Sequence, residues 1–175
     1  MLYDDIVNNQ DCLKLALKEA RESLITGNYP VGAVLKIGDS IYFGNNQGET
    51  SKNYSNHAET SLIINHGEEL LRASKDGVEI VLYSSLEPCL MCLGVAVLNK
   101  ITKIFYIQKD PLAGACSVDR FSMGERYKNV WPEITYDHFT DESKEMIVEF
   151  LNKQITNGVR PEWSKNFLAL LSKTE

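Results

Sequence analysis

The sequence predicts an α/β protein of three layers, in which helices cover both faces of a mostly parallel five-stranded sheet. Two observations favour this fold. Segments in which apolar residues recur at helical spacing alternate along the chain with short runs rich in Val, Ile, Leu and Tyr. In addition, a strand over 79–84, a helix over 88–99 and a strand over 103–107 follow one another. This order implies a parallel pair of strands joined by a right-handed crossover.

The first half of the chain is expected to supply a helix, a hairpin and a second helix. Leu13, Leu17 and Leu24 recur at helical spacing, with charged residues on the other face, and Gly27 is placed to end that helix. Gly38-Asp39 is a turn-forming pair between two β-type runs. The predicted elements are a helix over 9–26, strands over 31–37 and 40–43, a loop over 44–56 and a helix over 57–66 that Gly67 ends.

The second half is expected to add one strand and two helices to the crossover. Thr140 can cap a helix and Asn157-Gly158 can end it. Residues 110–130 show no clear period and are expected to form a long loop with short helical turns. Loops of this length are uncommon unless functional, so this one is a candidate cover for a site. The remaining predicted elements are a strand over 133–139 and helices over 140–154 and 161–172.

Composition and charge narrow the class of protein. The net charge is −6 and no two Lys or Arg residues are adjacent, so the basic run of a phosphate-binding tail is missing. This argues against a nucleic-acid partner without excluding one, because folding can gather scattered charges. No apolar run approaches the roughly 18 residues of a membrane span, and the acidic N-terminus does not resemble a signal peptide. Four cysteines, two of them in Cys-x-x-Cys, fit a reducing compartment, so we expect a cytoplasmic protein with no membrane partner.

Two short motifs carry the chemistry: His57-Ala58-Glu59 and Pro88-Cys89-Leu90-Met91-Cys92. Catalytic zinc typically has three protein ligands and a water in the fourth position. His57, Cys89 and Cys92 can supply three ligands, and both motifs are expected at helix starts, where free N–H groups and the helix dipole favour thiolate. Glu59 can reach the zinc-activated water without ligating the metal, and can carry its proton to the substrate. The combination predicts a Zn²⁺ site that adds water to an amino-substituted ring carbon.

Two other interpretations of the motifs are open. Cys89 and Cys92 could form a redox pair, although this leaves His57 and Glu59 unexplained and a thioredoxin-like context is missing. Zinc could instead be purely structural, which requires a fourth protein ligand. The His and Cys candidates for that ligand are Cys116, His66, His138 and Cys12.

The two motifs resemble the signature of the zinc-dependent cytidine deaminase superfamily. The resemblance extends over about 13–117 and includes the first strand of the family in Pro30-Val31-Gly32-Ala33-Val34. The segments 86–92 and 110–115 look most like those of the bacterial tRNA-specific adenosine deaminases and the related guanine deaminases. The resemblance implies one zinc ion per chain and usually a homodimer.

The resemblance also implies roles for individual residues. It assigns the metal ligands to His57, Cys89 and Cys92 and the proton shuttle to Glu59. Three further residues are implied as substrate contacts, namely the side chain of Asn46, the backbone N–H of Ala58 and the backbone carbonyl near Ser85.

The sequence departs from these relatives in ways that bear on the substrate. Asn56 stands before His57, where the relatives usually have a small apolar residue. After Cys116 the chain diverges, and it lacks the basic C-terminal helix expected of the tRNA enzymes. Residues 160–163 resemble the end of the fungal cytosine deaminases. In this family the C-terminal third often shapes specificity.

The sequence therefore predicts a single deaminase domain, 1–175, with a catalytic core over about 10–120 and C-terminal helices over about 140–172. The main hypothesis is a zinc-dependent hydrolase that deaminates a small nucleobase or nucleoside of the guanine, adenine or cytosine type. Attack by zinc-bound hydroxide, with Glu59 as proton shuttle, would release ammonia. The alternative is a tRNA-specific adenosine deaminase that makes inosine at the wobble position. A non-catalytic domain with a structural zinc is the hypothesis of a different class.

Several other residues could act in the site or serve the fold. Glu87 is expected to accept backbone N–H groups rather than take part in catalysis, and Cys116 is expected to be a free thiol. His66 and His138 are expected at the surface or in packing. Three aromatic residues could stack on a base, or could seal the core or a dimer interface; they are Trp131, Phe121 and Tyr127.

Overall fold

A central sheet of five strands carries helices on both of its faces in the computed structural model, which describes residues 8–173. The strands are β1 Gly32–Ile37, β2 Ser40–Asn45, β3 Ile80–Leu86, β4 Lys103–Gln108 and β5 Glu133–Tyr136. The helices are α1 Asn9–Ile25, α2 Ala58–Asn65, α3 Gly67–Asp76, α4 Leu90–Leu98, α5 Glu125–Lys128, α6 Glu142–Thr156 and α7 Pro161–Leu171. None of the described helices is both long and apolar enough to cross a membrane.

The sheet is mixed, so the prediction of a mostly parallel sheet is wrong in this respect. The strand order is β2-β1-β3-β4-β5, and β1 is antiparallel to both of its neighbours, whereas β3, β4 and β5 pair in parallel. The reason lies in the β1–β2 hairpin. The chain leaves β2, crosses β1 through α2 and α3, and returns as β3 in the same direction as β2, which leaves β1 reversed between them.

The helices form two layers that sandwich the sheet, as predicted. α1 packs against β1, β2 and β3 on one face, where α6 joins it, and α2 and α4 pack against each other on the opposite face. α1 approaches β1 very closely at Gly32, where a Cβ atom would lie 2.2 Å from the carbonyl oxygen of Ala16. The β3–α4–β4 crossover confirms the predicted strand, helix and parallel strand.

Two elements differ from their predictions. Gly67 does end α2, but α3 begins at the same residue, with Glu68 and Glu69 in its first turn and Gly77 in a left-handed conformation at its end. β5 is shorter than predicted because its ladder stops at Tyr136, opposite Tyr106 near the end of β4. Between β4 and β5 the chain forms a loop with α5 and one 3₁₀ turn, as predicted for 110–130.

The C-terminal helices contact the core near the C-terminal end of β3. α6 packs on α1, and α7 packs on α6. The Ser143 hydroxyl of α6 donates a 2.7 Å hydrogen bond to the carbonyl oxygen of Ser85, and both residues are fully buried. This bond brings α6 and α7 to the edge of the sheet from which α4 starts.

Candidate active site

The three predicted metal ligands meet where α2 and α4 begin. His57 is the N-cap residue of α2, Cys89 is the N-cap residue of α4, and Cys92 lies in the first turn of α4. Because the two helices pack side by side, their N-termini lie together. The Nδ1 atom of His57 is 3.6 Å from the sulfur of Cys89 and 3.5 Å from the sulfur of Cys92.

This spacing fits tetrahedral zinc. With a zinc–sulfur bond of about 2.3 Å and a zinc–nitrogen bond of about 2.0 to 2.1 Å, tetrahedral geometry separates sulfur and nitrogen by about 3.6 Å. Among the described residues, the group of possible ligand atoms within 4.8 Å of one another has three members, His57, Cys89 and Cys92. A structural zinc would need a fourth protein ligand. Three ligands with one position left open are instead the arrangement of a catalytic metal.

The surroundings of the two sulfurs favour negative charge on one of them. Hydrogen bonds from Cys92 and His57 lower the pKa of the Cys89 thiol, although burial opposes them. The Thr60 hydroxyl lies 3.2 Å from the sulfur of Cys92, where it can donate. Free N–H groups at the start of each helix add a positive potential. Cys89 is therefore prepared to bind a cation as a thiolate.

Glu59 lies beside the metal ligands without being one of them. It is 3% exposed, and its Oε1 atom accepts a 2.9 Å hydrogen bond from the Ser84 hydroxyl. Its Oε2 atom is 3.5 Å from the sulfur of Cys92. Burial raises the pKa of this carboxyl, an effect that the nearby His57 partly offsets. A buried carboxyl with a raised pKa next to a metal site is suited to accept and return a proton near neutral pH.

A pocket of about 190 Å³ opens over these residues. His57, Glu59 and Cys89 form its floor. One wall comes from the segment after β2 and is formed by Asn46, Gly48, Glu49 and Tyr54. This volume lies below the roughly 300 to 1,000 Å³ of typical ligand pockets, so the pocket suits one small ring.

The opposite wall comes from the C-terminal helices. Phe150 of α6, Arg160 at the N-cap of α7, and Trp163 and Phe167 of α7 line the same pocket. Tyr29 joins them: its ring lies edge-on to Phe150 at a centroid distance of 5.4 Å and stacks on Phe167 at 6.2 Å. The predicted cover, the loop over 110–130, also contributes to the lining, through Asp110, Leu112 and Ala113. The C-terminal helices thus form part of the lining of the pocket.

Charge in the pocket is predominantly negative. Four carboxylate residues line it: Glu49, Glu59, Glu87 and Asp110. Arg160 is the one lysine or arginine among the described lining residues, and its guanidinium donates to the carboxylate of Glu49. Burial raises the pKa of the Asp110 carboxyl. A neutral ring is therefore a better match to this pocket than a phosphate group.

The three predicted substrate contacts lie at different distances from this pocket. The Asn46 side chain lines it, and its Oδ1 atom accepts the N–H of Gly48 at 2.9 Å, which leaves its amide nitrogen to face a ligand. Ala58 is fully buried as the first residue of α2, so its N–H is one of the free N–H groups at the start of that helix. Ser85 is fully buried and its carbonyl already accepts from Ser143, while the next residue, Leu86, lines the pocket. Their roles toward a substrate stay predictions.

The remaining candidates lie mostly outside the pocket. Glu87 accepts the backbone N–H groups of Asp110 and Cys116 at 3.2 and 2.9 Å, which is the structural task expected of it, although it also borders the pocket. Cys116 is a free thiol, as predicted. His66 stacks on Tyr42, and His138 lies beside Asp141.

The three aromatic candidates lie elsewhere. Tyr127 and Trp131 line a separate apolar groove along α4, and Phe121 is 66% exposed. Sequence reasoning missed the aromatic wall of Tyr29, Phe150 and Phe167 because such residues usually fill cores. In the C-terminal wall, the sequence pointed only to Arg160 and Trp163, because residues 160–163 resemble the end of the fungal cytosine deaminases.

Comparisons with known proteins agree with this site. The family model described as the cytidine and deoxycytidylate deaminase zinc-binding region matches residues 7–108. The tRNA-specific adenosine deaminase of Aquifex aeolicus is 33% identical over 153 residues, which cover 83% of this chain and 95% of that protein. The enzyme of the same name from Bacillus subtilis is 38% identical over 106 residues, covering 60% of this chain and 64% of that protein.

Solved structures are similar in fold. One from studies of A-to-I editing by tRNA:A34 deaminases at the wobble position of transfer RNA has a TM-score of 0.59 and 26% identity. It covers 73% of this chain and 98% of that one. The guanine deaminase of Nitrosomonas europaea also has a TM-score of 0.59, with 14% identity over 82% of this chain and 84% of that one, which indicates a shared fold alone.

Proposed function

The chain belongs to the cytidine and deoxycytidylate deaminase family, and from that premise we propose that it deaminates a small free nucleobase or nucleoside. It is a zinc-dependent hydrolase of this family. In the proposed reaction, water replaces the amino group on a ring carbon, a carbonyl forms, and ammonia leaves. We propose that the whole chain acts as one catalytic domain, because α6 and α7 line the same pocket as the metal ligands.

Each residue of the centre has a distinct task in this proposal. His57, Cys89 and Cys92 hold zinc, which when bound supplies a water that ionises near neutral pH. Glu59 accepts a proton from the water on one carboxylate oxygen and returns it to the departing amino group. Ser84 holds the other oxygen through its 2.9 Å hydrogen bond, which fixes the orientation of the carboxylate.

The ring is held by groups on the pocket walls. The amide nitrogen of Asn46 donates to an acceptor on the ring edge, since its Oδ1 atom is already engaged by Gly48. The backbone N–H of Ala58 holds a ring carbonyl or nitrogen. The carbonyl near Ser85 is proposed to receive the departing amino group, in competition with the hydrogen bond from Ser143.

The character of the pocket is the observation that carries the choice of substrate. It is lined by residues of α6 and α7 and by four carboxylates, with a single arginine that is itself paired with Glu49. Binding of nucleic acid depends on Lys and Arg contacts to phosphates. A small, acidic pocket and a net charge of −6 therefore favour a small neutral substrate over tRNA.

A tRNA-specific adenosine deaminase is the second candidate. The observation in its favour is that relatives matching most of the chain, such as the Aquifex aeolicus protein, carry that name. A tRNA enzyme would bind its substrate with an affinity that falls steeply with salt, because each phosphate contact releases counterions. A salt titration of tRNA binding therefore separates the two candidates.

Ammonia release tests the proposal directly. The zinc-loaded protein is given guanine, cytosine, adenine, their nucleosides, and an anticodon stem-loop with adenosine at the wobble position. We expect turnover of at least one free base or nucleoside and none of the stem-loop. Turnover of the stem-loop alone would refute the choice of substrate and favour the tRNA enzyme.

The variant Glu59→Ala tests the catalytic centre in the same assay. We expect it to bind zinc and stay folded while its turnover falls by about 10²- to 10⁴-fold, the contribution typical of a general acid–base residue. Glu68→Ala, in the first turn of α3, is the matched control and should keep wild-type turnover. Wild-type activity in Glu59→Ala would contradict the proposed role of Glu59.

We also propose that the enzyme is a cytoplasmic homodimer. The four free cysteines support a reducing compartment. An apolar groove runs along α4 and supports a second copy as the partner. Its lining residues are Leu90, Leu93, Gly94, Val97, Leu98, Met123, Tyr127 and Trp131.

A further inference from the structure

Two segments that are far apart in the chain meet at the rim of the pocket. The guanidinium of Arg160 donates to the carboxylate of Glu49, across 111 positions of sequence. Glu49 lies in the loop that carries Asn46, whereas Arg160 begins α7. The ion pair therefore connects the two walls of the pocket.

Other contacts hold both ends of this ion pair in place. The backbone N–H groups of Glu49 and Thr50 each donate 3.0 Å hydrogen bonds to the Oδ1 atom of Asn28, which is 1% exposed. The guanidinium carbon of Arg160 lies 5.2 Å from the centre of the Trp163 ring. Exposed ion pairs usually contribute little to stability. What this one provides is a fixed connection between two walls.

The ion pair lies at the solvent side of the pocket and the chemistry lies at its floor. The side chains of Arg160 and Glu49 are 36% and 38% exposed, whereas Glu59 is 3% exposed. A substrate must bring its amino-bearing carbon to Glu59 and the metal ligands. The rest of the ring then points toward the rim, where the ion pair joins the two walls.

We propose that the Glu49–Arg160 ion pair sets the upper size limit of the substrate, so that the enzyme accepts free bases and discriminates against nucleosides. This inference rests on the proposed function. In cytosine and adenine, the nitrogen that bears the sugar in a nucleoside lies across the ring system from the amino carbon. With that carbon at the floor, a ribose occupies the space that the ion pair closes. Glu49 and Arg160 are thus specificity-determining residues.

The base-to-nucleoside selectivity tests this proposal. The zinc-loaded wild type, Arg160→Ala and Glu49→Ala are assayed with the pairs cytosine and cytidine, adenine and adenosine, and guanine and guanosine. We expect each variant to raise the ratio of kcat/KM for the nucleoside to that for the base by at least about 10-fold, the lower end of what a pocket wall contributes to discrimination. The charge-swapped double variant, Glu49→Arg with Arg160→Glu, should bring the ratio back toward the wild-type value.

A matched control lies on the same helix. Lys165 and Glu162 form an exposed ion pair on α7 that is not part of the pocket lining, so Lys165→Ala should leave the ratio unchanged. Glu49→Ala removes the ion pair from the other wall, so the test still applies if Arg160→Ala fails to fold. An unchanged ratio in the folded variants, with turnover of a free base by the wild type, would overturn the size limit alone. Turnover of the stem-loop alone by the wild type would overturn the proposed function and the size limit together.

Discussion

Glu59 and Glu87 are two buried carboxylates near the same metal ligands, and their hydrogen bonds suit them to different tasks. Glu87 accepts two backbone N–H groups from the loop after β4, one on each oxygen. Gly114 passes so close to Glu87 that a Cβ atom would lie 2.5 Å from its carboxylate. Glu59 accepts the Ser84 hydroxyl on Oε1, and its Oε2 atom faces the sulfur of Cys92. The carboxylate with an oxygen facing the metal ligands is the one that can move a proton.

Tyr29 allows a test of a buried hydroxyl that has no hydrogen-bond partner among the described residues. Burial raises the pKa of this phenol, so it stays protonated at neutral pH. Tyr29→Phe keeps the ring against Phe150 and removes only the hydroxyl. We expect the free energy of unfolding, measured with urea, to stay unchanged or to rise by up to about 1 kcal/mol.

Tyr83→Phe is the matched control for this substitution. The Tyr83 hydroxyl donates a 2.8 Å hydrogen bond to Asn9, so its removal should lower the free energy of unfolding by about 0.5 to 1.5 kcal/mol. If Tyr29→Phe lost as much as Tyr83→Phe, the Tyr29 hydroxyl would have a partner such as an ordered water, and the interpretation of Tyr29 would be wrong.

At the scale of the elements, features that depend on a local sequence pattern could be predicted, whereas the pairing of distant strands could not. The crossover from β3 to β4 and the metal ligands at the starts of α2 and α4 were predicted from motifs within short stretches of sequence. The antiparallel placement of β1 between β2 and β3 could not be predicted in this way, because it depends on which strands pair and not on any one segment. α3 was missed because Gly67 ends one helix and begins the next, and because only Leu70 and Ala73 of α3 are buried.

The same distinction applies to the candidate site. His57, Cys89 and Cys92 were predictable since metal binding requires particular residue types at particular spacings. The pairing of Glu49 with Arg160 was not, because the chain has 24 acidic and 18 basic residues and many pairs are possible. The contact that joins the two walls of the pocket could therefore be identified only from the three-dimensional structure.

The contact between α1 and β1 gives a prediction at this scale. In Gly32→Ala the new Cβ atom would lie 2.2 Å from the Ala16 carbonyl oxygen and 2.3 Å from the Ala20 nitrogen. Both atoms belong to the helix backbone, so α1 must move away from the sheet. We expect a loss of about 1 to 3 kcal/mol or more in the free energy of unfolding, measured by urea denaturation.

Gly67→Ala is the control for this substitution. No atom lies within 4 Å of a Cβ atom placed at Gly67, and its backbone needs no positive φ angle. Stability should stay the same or rise slightly, since alanine restricts the unfolded chain. Equal stability of Gly32→Ala and the wild type would contradict the close packing of α1 on β1.

At the scale of the whole molecule, the apolar groove along α4 predicts self-association. Leu90 and Leu98 border this groove and are 65% and 48% exposed. Leu98→Lys places a charge in the proposed interface, and we expect it to convert the dimer to a monomer in sedimentation velocity. A wild type that sediments as a monomer would contradict the homodimer.

Ile25→Lys is the matched control for Leu98→Lys. Ile25 is likewise the last residue of its helix, is 70% exposed, and lies on α1, which packs on the other face of the sheet. This variant should remain a dimer. Dissociation of both variants would indicate a general effect of added charge and not an interface along α4.

The separate origins of the floor and the outer wall of the pocket have a consequence for the history of such enzymes. The residues proposed to hold the metal and to move the proton come from the starts of α2 and α4, whereas α6 and α7 supply most of the aromatic wall. Substitutions on the pocket side of the last two helices can therefore change which substrates fit while the metal ligands and Glu59 stay the same.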